Sequence, residues 1–268
     1  MALPICVTCG VQYAGDRDDC PVCEDARQYV GLDGQRWTTL HELRGGHKNL
    51  IRDEGGLLAI GTEPKFAIGQ RALLVGHSDG NVLWDCVSLL DAETEREIDS
   101  RGGLHAIAIS HPHYYSTMVE WAHRFDCPVW LHEADREWVM RDDPKLRFWS
   151  GSTFDLGDGM TLIRCGGHFA GATVLHRGTD LLVGDVVQVI PDRGWVSFMY
   201  SFPNYIPLPE SEIRSIEAAL EPFEYERIYG AWWGTVVPAD GKGIVRRSAQ
   251  RYVDALNGKL PSTAAQKG

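Results

Sequence analysis

No apolar run in this 268-residue chain comes near the ~20 residues a membrane-spanning helix needs. There is no basic stripe either: the formal net charge is −11, with acids and bases interspersed. Neither nucleic acid nor an anionic membrane surface is therefore an expected partner. The opening "MALPICVTCG" lacks a basic stretch followed by an apolar one, which speaks against a secretory signal. No short internal repeat occurs, and no Pro/Gly linker divides residues 57–257, so one large domain behind a small appendage is expected. Histidine is absent after His176. What remains, 44% apolar and 24% charged residues, is ordinary for a soluble globular chain.

Cysteine is the first informative presence. Cys6, Cys9, Cys20 and Cys23 are clustered, whereas Cys86, Cys127 and Cys165 stand alone. An odd total with four in close pairs points to a metal site in a reducing compartment, hence the cytoplasm, and not to a disulfide framework. "CVTCGVQYAGDRDDCPVC" pairs Cys-x-x-Cys-Gly with Cys-Pro-x-Cys, which can bring four thiolates to a tetrahedral ion. So short a segment has almost no apolar core, and the ion would supply most of its folding free energy. The pattern resembles a rubredoxin-like knuckle pair of the kind appended to rubrerythrins, and also the structural zinc ribbons. That implies structural zinc, with iron fitting the same ligands.

From about residue 57 short strands dominate: "GLLAIGT", "RALLVGH" and "NVLWDCV", with Asp79-Gly80 as a hairpin turn. "DAETEREIDSRGG" reads as an exposed helix closed by Gly102-Gly103. "LHAIAIS" is a strand that ends at "HPHYYS", and Thr117 with Glu120 fits a capping box for the next helix. Helices are also expected at "EADREWVM", Glu210–Leu220 and Asp240–Leu256. Strand meanders with helices after them suggest two sheets with helices on their outer faces.

Three strand ends carry potential ligands. His111 and His113 follow "LHAIAIS", His168 follows "TLIRCGG", and Asp185 follows "DLLVG". Two histidines one residue apart can turn towards one point. The glycines before His168 let the backbone approach closely, and a lone carboxylate between apolar runs is costly unless it is paired or ligates a cation.

In order and spacing, "GNVLWDC", "SHPHYYS", "CGGHFAG" and "VGDVV" resemble the metallo-β-lactamase-fold superfamily, the αββα hydrolases that include glyoxalase II and the persulfide dioxygenases. The resemblance covers about residues 57–257. It implies an α+β chain with an αββα sandwich, placed at 36–260 behind the cysteine knuckle at 1–35, and the polar tail at 261–268 is expected to be disordered. His111, His113, His168 and Asp185 match the family's ligands. Tyr115 stands where the family has Asp, Ser116 where it has His, and the last His is missing from "YGAWWGTVV", where Trp232 and Trp233 occupy the neighbourhood. The resemblance thus implies one ion, zinc or iron, in a reduced site.

The remaining histidines, His41, His47, His77, His105, His123 and His176, are expected to be surface or hydrogen-bonded residues, and His132 is left open. Asp85 is expected to support the ligands, Ser116 to help a helix start, and Tyr115 to donate to an oxyanion or to fill the vacant second site. The expected activity is metal-dependent hydrolysis of a small ester, thioester or lactone, with Asp185 orienting the attacking water or taking its proton. The aromatic stretch 195–209 and the two tryptophans would give the substrate's apolar part a wall. Two alternatives stay open: a mononuclear non-haem iron oxygenase using His111, His168 and Asp185, and a non-catalytic metal-binding protein. Whether the chain forms a homo-oligomer is also open.

Overall fold

A computed structural model describes residues 2–260; the expected disordered tail, 261–268, lies outside the described residues. The chain opens with a knuckle of strand β1 (Ile5–Cys6), a single helical turn α1 (Pro21–Glu24) begun by its proline, and β2 (Trp37–Thr38). Cys6 pairs with Trp37 and Ile5 with Thr38, so this small sheet closes just beyond the expected boundary at 35. Helix α2 (Leu40–Gly46) follows. Its capping box is complete: Thr39 Oγ1 accepts from the Glu42 amide at 3.2 Å while Glu42 accepts from the Thr39 amide at 2.9 Å.

A seven-stranded sheet comes next, in sequential order. Its strands are β3 (Lys48–Glu54), β4 (Leu57–Glu63), β5 (Arg71–His77), β6 (Gly80–Trp84), β7 (Ala106–Ala108), β8 (Val129–His132) and β9 (Leu146–Trp149). The first four are antiparallel; β6 to β9 run parallel, with α3 (Ala92–Ser100) and α4 (Met118–Phe125) as crossovers. Strand β3 escapes the apolar reading because it is an edge strand, "KNLIRDE", whose charges blunt an otherwise open row of backbone groups.

The second sheet has six strands. Here β10 (Thr153–Gly157), β11 (Met160–Arg164), β12 (Thr173–Arg177) and β13 (Asp180–Gly184) form a meander. A two-stranded ribbon, β14 (Gln188–Val189) and β15 (Val196–Ser197), leads to α5 (Glu210–Leu220). Strand β16 (Arg227–Gly230) then pairs parallel with β13, β17 (Val236–Val237) completes the edge, and α6 (Gly241–Leu256) ends the described chain.

The layers follow from alternation. Leu73, Val75, Val82, Trp84, Ala106 and Ala108 face Leu162, Leu175, Leu182 and Tyr229 between the sheets. Their neighbours Ala72, Leu74, Leu83 and Ile107 face outward under α4 and the knuckle, and Leu181 and Val183 face outward under α5 and α6. Strands buried on both faces read as continuous apolar runs, which is why "RALLV" and "DLLVG" were legible as strands. The result is an α+β chain with an αββα sandwich.

Two charges are buried between the sheets. The Arg71 side chain is 0% exposed and pairs with Glu54, 10% exposed. Arg71 also donates to the Gly230 carbonyl at 3.1 and 3.3 Å, and Glu54 accepts from the Gly234 amide at 2.7 Å. Burial lowers the pKa of the guanidinium, and Glu54 opposes that shift. Removing one partner leaves the other charge uncompensated, so Glu54→Ala is expected to destabilise the protein by about 3–5 kcal/mol. Chemical denaturation checks this, and Glu54→Ala with Arg71→Met should recover most of the loss.

Candidate metal centre

Parallel strands place their C-terminal ends at one rim, and this chain puts its polar residues there. Asp85 leaves β6, Ser110 and His111 follow β7, and Asp185 follows β13. The sheets meet closely at that rim. A Cβ on Gly184, whose φ is +55°, would lie 2.6 Å from Ser110 Oγ, so only glycine lets β13 approach. His168 arrives on the turn between β11 and β12, after Gly166 and Gly167, both at positive φ.

Three imidazoles converge there, with ligand atoms all within 4.8 Å of one another, each ring buried. His113 Nδ1 stands 3.2 Å from His168 Nε2, and His111 Nε2 3.2 Å from Asp185 Oδ1. The edge of a tetrahedron on ~2.0–2.1 Å metal–ligand bonds is about 3.4 Å, close to both values. His111 Nε2 and Asp185 Oδ1 nevertheless make no hydrogen bond. Near each other but not directed at each other, they are buried polar atoms aimed at a common third point, and the donor set fits a cation. Backbone and side-chain partners orient two of the rings. His168 Nδ1 lies 2.8 Å from the Tyr200 carbonyl, so it carries the proton and leaves Nε2 free, while His111 Nδ1 lies 2.9 Å from Ser110 Oγ.

Electrostatics keeps the site ready for a cation. Burial, then the neighbouring imidazoles, holds His111 and His113 well below the usual histidine range, and burial lowers His168 to about 4. All three are neutral donors at physiological pH. Burial raises Asp185 to about 7.

Asp85 is likewise raised to about 7 by burial, against the amide of Ser110, which donates to its Oδ1 at 2.8 Å. Its folded pKa exceeds the unfolded value, so the folded state holds the extra proton between about pH 4 and 7. Stability contributed by that proton is present below this window and is lost as pH rises through it, by up to about 1.4 kcal/mol per pH unit. Asp85→Asn keeps an acceptor for Ser110 and tolerates the φ of +60° at this position. It should therefore lose less stability than wild type between pH 5 and 7, measured as urea midpoints at both values.

Other expectations fall elsewhere. Tyr115 is not brought to the histidines. The chain makes a 3₁₀ turn over Pro112–Tyr114, each residue turning by about 120°, so Tyr114 faces the site and Tyr115 faces away. Tyr114 packs 4.3 Å from the His111 ring with its hydroxyl towards Asp185, and burial with that carboxylate raises its pKa well above the usual range. Tyr115 sits among Val11, Gln12, Met118 and Met140, on the knuckle side. Ser116 does not start the helix: its hydroxyl lies 3.1 Å from Gln70 Nε2 and donates to the Cys86 carbonyl at 3.2 Å. The Thr117 capping box does not form either. Thr117 Oγ1 donates instead to the Ser88 carbonyl at 2.9 Å, and Glu120 pairs with Arg141. His132 turns to the Gly151 carbonyl at 3.1 Å, away from the group. Trp232 lines the cavity at the site, whereas Trp233 packs on Gly61 and under Arg52. Phe169, missed in the sequence although it adjoins His168, packs against all three imidazoles, with ring centres 4.8–5.6 Å away. A third group, His77, Asp79 and His105, lies at the hairpin surface, where His77 Nδ1 accepts the Asp79 amide.

The second metal candidate is the knuckle. Its four cysteines are buried and unbridged, with Cys6 Sγ 3.6 Å from Cys23 Sγ and Cys9 Sγ 3.7 Å from Cys20 Sγ. A tetrahedron on ~2.3 Å metal–sulfur bonds has edges of about 3.8 Å, whereas a disulfide needs ~2.05 Å. Tyr13 and Gln35 reach the sulfurs of Cys20 and Cys6, at 3.0 and 3.2 Å.

No protein-family model matches the chain. It is 49% identical over 268 residues to the uncharacterized protein YmaE of Bacillus subtilis (strain 168), covering 96% of this chain and 97% of that protein. Among solved structures it is similar to VMB-1 (TM-score 0.61, 13% identity, 78% of this chain and 98% of that one). It is similar too to the DIM-1 metallo-β-lactamase (0.59, 16%, 78% and 98%). The mono-zinc form of the metallo-β-lactamase FIM-1 from Pseudomonas aeruginosa is a further neighbour (0.56, 14%, 80% and 97%). At these identities the likeness establishes the fold.

Proposed function

Because this chain belongs to the same family as YmaE of Bacillus subtilis and carries the metallo-β-lactamase fold, we propose that it is a metal-dependent hydrolase of a small ester, thioester or lactone, working on one ion. The observation that carries this reading is the convergence of unpartnered, buried His111 Nε2 and Asp185 Oδ1 with His113 and His168 beside a cavity of about 310 Å³. His111, His113 and His168 would hold the ion, with Asp185 beside them. A divalent cation bound there supplies Lewis-acid polarisation of a carbonyl and brings the pKa of a water to about 7.

The remaining chemistry belongs to the protein. Asp185, buried beside the imidazoles with Oδ1 unpartnered, is placed to orient the attacking water or take its proton. Tyr114 stays protonated beside it. Ala67, Ile68, Phe202, Pro203 and Trp232 give the cavity an apolar wall suited to an acyl chain. Lys65, the one lysine or arginine in the lining, offers a cation to an acidic substrate. The place of His113 next to His168 favours a three-imidazole set over a two-histidine, one-carboxylate oxygenase site.

The test is a panel of aryl esters, acyl thioesters and lactones, offered to zinc-loaded and iron(II)-loaded protein. Turnover that falls at least a hundredfold in Asp185→Asn supports the reading. Turnover no greater than free metal gives, on every member of the panel, overturns it.

A further inference from the structure

The knuckle is more than an appendage beside the histidines. Its first loop, between Cys6 and Cys9, presents Thr8 to the cavity, and the segment leaving Cys23 presents Gln28 and Tyr29 to the same space. Between them Arg27, with only 13% of its side chain exposed, is forked by Asp25 at 2.6 and 3.0 Å. Its guanidinium lies 3.8 Å over the Phe169 ring and donates to the His168 carbonyl at 3.3 Å. Phe169 is the ring that packs against all three imidazoles.

Two further ties run the same way. Asn204 Nδ2 donates to the Ala26 and Gln28 carbonyls at 3.0 and 2.9 Å, and Ser201 Oγ donates to the Arg27 carbonyl at 3.1 Å. That clamps the knuckle to the strap whose Tyr200 carbonyl fixes the His168 tautomer. On the other side, the Gln12 amide donates to the Ser116 carbonyl at 2.9 Å, holding the loop that carries His111 and His113. Both ligand-bearing loops are thus anchored to residues within a few positions of a knuckle cysteine.

We propose that the four-cysteine knuckle is a working part of the histidine site: Arg27 is a positioning residue that sets the geometry of His168 and Phe169, and Thr8, Gln28 and Tyr29 shape the substrate cavity. The cavity half of this statement rests on the hydrolase reading; the positioning half concerns ligand geometry alone. Groups that orient metal ligands typically change affinity by 10–100-fold when removed. Lysine cannot reproduce the fork between Asp25, the Phe169 face and the His168 carbonyl.

Cobalt(II) titration of the full chain tests it, because the thiolate charge-transfer bands report the knuckle and the d–d absorption that a His113→Ala/His168→Ala variant lacks reports the imidazoles. Arg27→Ala should weaken cobalt binding at the histidines by 10–100-fold, shift the d–d spectrum and leave the thiolate bands unchanged. Arg27→Lys should recover only part of that affinity. Circular dichroism and a denaturation midpoint verify that each variant is folded, and Asn204→Ala, which frees the strap without touching Arg27, should weaken the same site. Affinity and d–d bands within threefold and unshifted in folded Arg27→Ala and Asn204→Ala would overturn the proposal. A wild type that binds cobalt at the histidines but hydrolyses no ester, thioester or lactone of the panel defeats only the hydrolase reading, because the affinity comparison is still decided by the variants.

Discussion

Replacing His113 and His168 together with alanine should remove one of two metal equivalents per chain, and with it all hydrolytic activity above that of free metal. The two residues come from different sheets, one after β7 and one on the turn after β11, and their facing nitrogens are 3.2 Å apart. Losing both leaves a single imidazole and a carboxylate, too few donors for a tetrahedral ion with an open position. The four thiols, buried in the knuckle, should keep their own ion. Elemental analysis of wild type and variant reads the difference directly. Two equivalents retained in the double variant would place the second ion elsewhere and leave the buried His111 Nε2 and Asp185 Oδ1 without an explanation. One equivalent in wild type, lost only with the cysteines, would mean that the histidines bind no ion, and the non-catalytic reading would then stand.

The candidate ligands were legible in the sequence because their chemistry is carried by rare residues at strand ends. His111, His113, His168 and Asp185 each follow a strand within a few residues, and β7 and β13 are buried on both faces. What the sequence concealed are positions fixed by a rotation or by a long-range meeting. Tyr114 and Tyr115 are adjacent and chemically identical, so only the 3₁₀ turn decides which one meets Asp185, and Pro112 at its first position is the local cue. Arg27 and Phe169 meet across 142 positions of chain, as numbered, through a stacking contact that leaves no periodic trace. Edge strand β3 was missed for the opposite reason: its charges protect an open edge and erase the apolar pattern.

Positions where the resemblance would place further ligands are engaged by the protein itself. Ser116 is buried at φ +47° and held by Gln70 and the Cys86 carbonyl, while Trp232 reaches the Ile68 carbonyl from the opposite side. The Ser116 hydroxyl and the Trp232 indole are thereby satisfied within the protein. Tyr115→Asp with Ser116→His would bury two titratable groups in this packed interior.

Removing the knuckle ion should produce the largest loss of stability. Cys9→Ser with Cys20→Ser takes two of four donors from a segment whose own apolar content cannot hold it folded, and structural sites of this kind contribute roughly 10 kcal/mol or more of apparent binding free energy. The loss does not stay local. Cys6, Cys9, Val11, Tyr13, Val22 and Cys23 belong to the same buried cluster as Leu74, Leu83, Ile107, Trp121 and Tyr115, so a melted knuckle uncovers the outer face of the first sheet. The Ser88 hydroxyl loses the Gly10 carbonyl it donates to at 2.9 Å. The expected result is a folded sandwich with a much lower thermal midpoint, greater dye binding to exposed apolar surface and faster proteolysis confined to the first forty residues. Because Arg27 and Gln12 go with the knuckle, the histidines should also release their ion at lower chelator concentrations than in wild type. A variant that retains the wild-type midpoint would show that the thiols need no ion to fold, and would reduce the four cysteines to core residues.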